Sequence, residues 1–177
     1  METRIVFHSA AIIIAAIACV TDLRSRRISN RLVLSGLAIG LSLNLLFEGL
    51  KGLGWSLLGG LLGLALFLPF FALGGMGAGD VKLLSCLGAI LGPQDLIAVA
   101  LVGALLGGAL ALVVAAANGR LRSTLGRVAE LLAFWASGGL KPSPVLNLES
   151  PEALKIPYAV PVAAGTLLVL LSRWIAA

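Results

Sequence analysis

The chain is built from long uncharged apolar runs separated by short breaks of Gly, Pro, Asn or charge, and that pattern leaves few folds open to it. Six runs can be read: Ile5 to Val20, about Leu32 to Phe47, about Trp55 to Leu73, about Val81 to Leu91, Leu96 to Ala117, and Pro157 to Ile175. Only 12% of the 177 residues are charged and the mean hydropathy is +1.07. A water-soluble domain of this size could not hide so much apolar surface. The pattern predicts an all-α membrane protein, a single polytopic domain over residues 1–177 with six transmembrane helices. The first run has the length of a signal-peptide core. It lacks a small-residue cleavage site and leads into Asp22 and a basic loop, so it is expected to stay as the first helix.

The fourth run is short. Eleven residues at 1.5 Å each span about 16 Å, against about 30 Å of hydrocarbon. Either this helix extends back through the preceding glycines, or the Gly-rich segment dips into the bilayer. Both alternatives put Asp80 below the surface plane. Between the last two runs, Leu125, Val128, Leu132 and Trp135 recur at helical spacing, with Ser123 or Thr124 placed to cap the start. That stretch predicts a short interfacial helix with basic flanks, followed by an irregular loop from Gly138 to Pro151. The spacings Gly59-xxx-Gly63 and Gly103-xxx-Gly107 suggest close helix contacts.

Lys and Arg give the orientation. The loops after the first, third and fifth runs hold Arg24, Arg26, Arg27, Arg31, Lys82, Arg120, Arg122, Arg127, Lys141 and Lys155, ten of the thirteen basic residues. The opposite side holds Arg4, Lys51 and Arg173. The positive-inside rule makes the first set cytoplasmic and puts both termini outside. Of the eight acids, only Asp22 and Asp80 then lie at the cytoplasmic ends of apolar runs, 58 residues apart in sequence. Each alone has a plain structural reading: Asp80 as a helix cap, Asp22 as a boundary residue tied to Arg24 or Arg26. Together, on one side and at membrane depth, they point to chemistry. Two carboxylates sharing one proton activate a water and protonate a leaving amine, which is what peptide hydrolysis needs.

Other chemistry has little to stand on. Cys19 and Cys86 lie inside apolar runs and no CxxC pair occurs, so neither zinc nor a disulfide is expected. His8 lies near the outer end of the first helix and reads as structural. No phosphate loop or dinucleotide fingerprint is present, so the sequence implies no cofactor and no nucleic-acid partner.

Gly77-Ala78-Gly79-Asp80, continuing as Val81-Lys82-Leu83-Leu84, resembles the GxGD motif of the type IV prepilin peptidases. Asp22 to Asn30 is similar to that family's first aspartate motif, in which a basic loop leads to Ile-Pro-Asn; Ser29 stands here in place of the proline. Lys155 to Pro161 resembles the start of the family's last helix. The resemblance implies an aspartic endopeptidase of the bacterial inner membrane that removes a short basic leader from prepilin or pseudopilin substrates on the cytoplasmic face. It implies Asp22 and Asp80 as the catalytic pair, with Gly77 and Gly79 shaping the active-site loop that presents Asp80. Lys82, at the edge of that loop, is expected to snorkel to the interface or to offset the charge of the pair. The paired CxxC region that larger members carry for N-methylation is not seen, so the chain resembles the short, protease-only branch that serves Flp or Tad pili. Archaeal preflagellin peptidases share the same plan. The basic loops are expected to fix topology or to meet anionic lipid headgroups.

Two other readings use the same residues. A small transporter would employ the aspartates as proton or cation sites; against it, both acids lie toward one face, and no inverted repeat is evident. A non-enzymatic pilus assembly factor would function with both aspartates neutralised.

Overall fold

The computed structural model describes residues 2–138 and 157–175, and among them the protein is entirely helical. Helix α1 spans Glu2–Ser25, α2 Asn30–Ala72, α3 Ala78–Ala117, α4 Leu121–Gly138 and α5 Ala159–Ile175. Three of them, α1, α2 and α3, are long and apolar enough to cross a membrane, and α5 is a shorter apolar helix. This corrects the six separate transmembrane helices read from the sequence. The second and third runs are continuous in α2, and the fourth and fifth are continuous in α3.

The physical reason is that the intervening breaks are single glycines and not loops. Gly49 takes φ 65°, ψ −152° inside α2, and Gly92 takes φ 81°, ψ 172° inside α3. Both values lie where a side chain is rarely tolerated, so glycine permits a sharp kink within one residue. Pro93 follows Gly92 and restarts the helix where its missing N–H costs nothing. The kink in α2 is sharp enough to bring distant residues together. Asn44 Nδ2 and Ser56 Oγ both donate to the carbonyl of Ala89, at 3.2 and 2.6 Å. In a straight helix those residues would stand about 18 Å apart.

The first part of α3 forms the centre of the bundle, although its apolar run is the shortest of the six. Leu83, Leu84, Cys86, Leu87, Ile90 and Leu96 are all essentially inaccessible. The helix does extend back through Gly79, starting at Ala78 directly after Gly77. Glycines on α2 let it approach this closely. A Cβ on Gly40 would meet the Ala89 backbone at 2.8 Å, and one on Gly63 would meet Ser85 Cα at 2.7 Å. Gly103 and Gly107 of α3 serve the same purpose against α5, where their Cβ atoms would stand 3.6 Å from Val162 Cα and 3.1 Å from the Tyr158 ring. Small residues are what bring helices together when lipid removes the hydrophobic drive. The outer surface is correspondingly apolar, with Leu34, Leu61, Leu101, Leu105 and Val113 largely exposed. Cys19 and Cys86 are free thiols.

The helix expected between the last two runs is α4, and it begins two residues before Ser123. Ser123 lies inside it and its hydroxyl donates to the Arg120 carbonyl at 2.9 Å. Leu121, Leu125, Val128 and Leu132 form an exposed apolar stripe along it. Most of the irregular loop expected from Gly138 to Pro151, together with Lys141, Glu149, Glu152, Lys155 and Ile156, lies outside the described residues.

Candidate active site

Three chain segments meet at one end of the bundle: the last turn of α1, the first turn of α3, and the start of α5. Asp22 sits in the last turn of α1, which Arg26 closes in the left-handed region at φ 53°. The Arg26 N–H donates to the Asp22 carbonyl at 2.8 Å. Asp22 is 8% exposed, and its Oδ2 accepts from the backbone N–H of Ala159 at 3.4 Å. No ion pair joins Asp22 to Arg24 or Arg26 among the described residues.

Asp80 lies in the first turn of α3, where the unpaired N–H groups and the helix dipole favour negative charge. Its own N–H donates to the Gly77 carbonyl at 3.1 Å. Asp80 is half-buried, and its carboxylate lies within Coulombic range of Asp22. Residues 58 apart in sequence thus come near one another in the fold. Tyr158, immediately before α5, lies within Coulombic range of Asp80.

The two glycines of the motif have separate physical reasons. Gly77 caps α3 with an extended backbone, φ −74° and ψ 145°, that any residue could adopt. What a side chain there would press on is the carboxylate, since a Cβ on Gly77 would lie 3.0 Å from Asp80 Oδ2. Gly79 faces the loop after α1, where its Cβ would meet Ile28 Cβ at 3.2 Å. Only Gly77 precedes the helix, while Gly79 and Lys82 belong to its first turns.

Lys82 has a more specific role than the sequence suggested: its Nζ donates to Asn30 Oδ1 at 3.0 Å. The segment following Asp22 and the segment carrying Asp80 are therefore joined twice, by Ile28 against Gly79 and by Asn30 with Lys82. Ser29 completes this join. Its φ of −66° is the value a proline would fix, and its hydroxyl caps α2 by accepting from the Arg31 N–H at 3.2 Å. The seat that Ala159 provides for Asp22, and the approach of Tyr158 to Asp80, were not legible as site features. The only signal for them was the similarity of Lys155 to Pro161 to a family motif.

His8 lies at the opposite end of α1, buried, with Nδ1 accepting from Trp174 Nε1 at 2.9 Å. No cluster of metal-ligating side chains occurs among the described residues. The aspartate site therefore holds two carboxylates of unequal setting, one seated on a backbone N–H and one at a helix N-terminus. Such a pair can take up and deliver protons around a water molecule. No curated protein and no solved structure matches the chain. The family model for type IV leader peptidases matches residues 9–112, a stretch that contains both aspartates and covers more than half of the sequence. The chain belongs to the type IV leader peptidase family, and with it to the proteases.

Proposed function

We propose that the protein is a membrane-embedded aspartic endopeptidase that cleaves the leader from type IV prepilin-like substrates, with Asp22 and Asp80 as the catalytic pair. The observation that carries this reading is the meeting of the two carboxylates at one end of the bundle, within Coulombic range of each other. In the reaction, the ionised carboxylate takes a proton from water as its oxygen attacks the scissile carbonyl carbon. The protonated partner then gives its proton to the leaving nitrogen as the C–N bond breaks. The products are a leader ending in a carboxylate and a mature chain with a free amino terminus. Gly77 leaves the Asp80 carboxylate room to turn toward the substrate, and the Ile28–Gly79 and Asn30–Lys82 contacts hold the two aspartate segments in register.

At 43 residues, α2 would run about 64 Å if straight, roughly twice the hydrocarbon thickness. The kinks at Gly49 and Gly92 let α2 and α3 turn back toward the side from which each starts. In this topology Asp22 and Asp80 lie on the Lys- and Arg-rich side, which is the cytoplasmic side of the bacterial inner membrane. A substrate helix in the bilayer, preceded by its basic leader, would then offer its scissile bond at the depth of the pair. The short Flp or Tad type of pilus system is the context that the sequence resemblance favours.

The test is cleavage by purified protein, in detergent or lipid, of a leader-bearing prepilin, with the product ends read by mass spectrometry. The expected result is a single cut after a glycine, just before the substrate's apolar helix, unaffected by chelator. Absence of cleavage, or zinc-dependent cleavage, would overturn the proposal.

A further inference from the structure

At the end of the bundle opposite the aspartates lies an open cavity of about 450 Å³ that proteolysis does not use. Its volume falls within the roughly 300–1,000 Å³ of small-molecule sites. Its walls come from the first turns of α1, the two kinks, and the last turn of α5. The charges are balanced, with Arg4 and Arg173 against Glu48 and Asp95. One opposite pair is already spent internally, since Arg173 Nη2 lies 2.9 Å from Asp95 Oδ1. Arg4 and Glu48 pair neither with each other nor with any other group among the described residues.

The neutral groups in the wall are poised in a complementary way. His8 accepts at Nδ1 from Trp174, so the neutral ring carries its proton on Nε2 and offers it as a donor. Asn44 donates from Nδ2 to the carbonyls of Gly40, Ala89 and Ile90, and keeps its Oδ1 as an acceptor. The wall therefore presents one free cation with a donor, and one free anion with an acceptor. A ligand that satisfies all four carries a negative and a positive centre, the positive one bearing N–H groups.

Large apolar side chains on the same stretch of α2 as Glu48 are exposed. Leu46 and Leu50, on either side of Glu48 in sequence, are 78% and 81% exposed. Trp55 lines the cavity, Trp174 binds His8, and both are about half exposed, as aromatic residues at a membrane–water interface are. We propose that this cavity binds the phosphoethanolamine headgroup of a zwitterionic phospholipid. The phosphate lies against Arg4 and the His8 N–H, the primary ammonium against Glu48 and Asn44 Oδ1, and the acyl chains run down past the exposed leucines. Glu48 disfavours a purely anionic headgroup, and a quaternary ammonium has no N–H to give Asn44.

Native mass spectrometry of the full chain, released from mixed micelles of equimolar phosphatidylethanolamine, phosphatidylcholine and phosphatidylglycerol, tests this directly. Wild-type protein should retain phosphatidylethanolamine preferentially. Glu48→Gln should lower that preference about tenfold or more, as loss of a charge-assisted contact does. Arg4→Gln should weaken retention of all three lipids. Thermal melts in detergent confirm that each variant is folded; an unfolded variant is replaced by Glu48→Ala or Arg4→Lys, with the same expectations at reduced size for the lysine. Equal retention of the three lipids by wild-type protein would overturn the proposal, as would a preference that survives both substitutions. Displacement of bound lipid by soluble glycerophosphoethanolamine at low micromolar concentration would assign the headgroup chemistry to a soluble ligand and overturn the lipid source. Because the readout is lipid retention and not cleavage, none of these results bears on Asp22 and Asp80.

Discussion

Replacing Gly77 with alanine is expected to slow cleavage while leaving the fold in place. The added Cβ would sit 3.0 Å from Asp80 Oδ2. That is tighter than an ordinary contact, so the carboxylate must give by a few tenths of an ångström. A misplacement of about 1 Å in a reacting group costs on the order of a hundredfold. The expected loss for the smaller shift is therefore about 3- to 10-fold in kcat, or about 0.7–1.4 kcal/mol in the barrier. KM should change little, since the perturbation acts on the carboxylate and not on the rest of the surface that meets the substrate. The backbone of Gly77 is extended and suits alanine, so no conformational strain is added. Exchange at the helix cap should cost no more than about 1 kcal/mol of stability. Gly54 is the matched control: its Cβ would meet nothing within 4 Å, so Gly54→Ala should retain wild-type kinetics. Steady-state cleavage of a leader-bearing substrate gives kcat and KM, and a thermal melt reports the fold. A folded Gly77→Ala protein with wild-type kcat would mean that the position of the Asp80 carboxylate does not govern the reaction.

Gly63→Leu should unfold or grossly destabilise the bundle, because its Cβ would already stand 2.7 Å from the Ser85 backbone; overpacking of this kind costs about 1–3 kcal/mol or more, read as a lowered Tm. Asn44→Ala should destabilise by about 1–3 kcal/mol through the loss of the side-chain donor to the Gly40, Ala89 and Ile90 carbonyls, and denaturation of the variant beside wild type checks it. The pH–rate profile should be bell-shaped, since alkaline pH removes the proton the general acid must give and acid pH protonates the base; a rate rising monotonically with pH would exclude a carboxylic acid as proton donor.

The membrane class of the chain and its two candidate carboxylates stand out in the sequence because both signals are local. Apolar runs need only composition, and an aspartate beside glycines at membrane depth is conspicuous at any fold. The helix count was not legible. A one-residue kink at Gly49 or Gly92 leaves the flanking helices continuous, and glycine occurs 22 times in this chain without marking which copies take a positive φ. The central place of the α3 start was missed for a related reason. Its run is short because the helix begins among polar motif residues, and not because it is poorly buried. Long-range contacts were the least legible. The Ala159 N–H reaches Asp22 across 137 residues, and Lys82 reaches Asn30 across 52. Neither pairing leaves a periodic or compositional trace.

The central claim is that Asp22 and Asp80 act as one unit. Its most direct test compares cleavage by Asp22→Asn, Asp80→Asn and the double variant, each shown to insert and fold. Asparagine keeps the shape of the side chain but cannot exchange a proton at neutral pH. If the carboxylates share the work of one acid–base cycle, each single substitution should abolish nearly all activity. The double variant should then be no worse than either single one, because groups acting as a unit are strongly non-additive. Cleavage near the wild-type rate in either single variant, or losses that simply multiply in the double variant, would contradict the account.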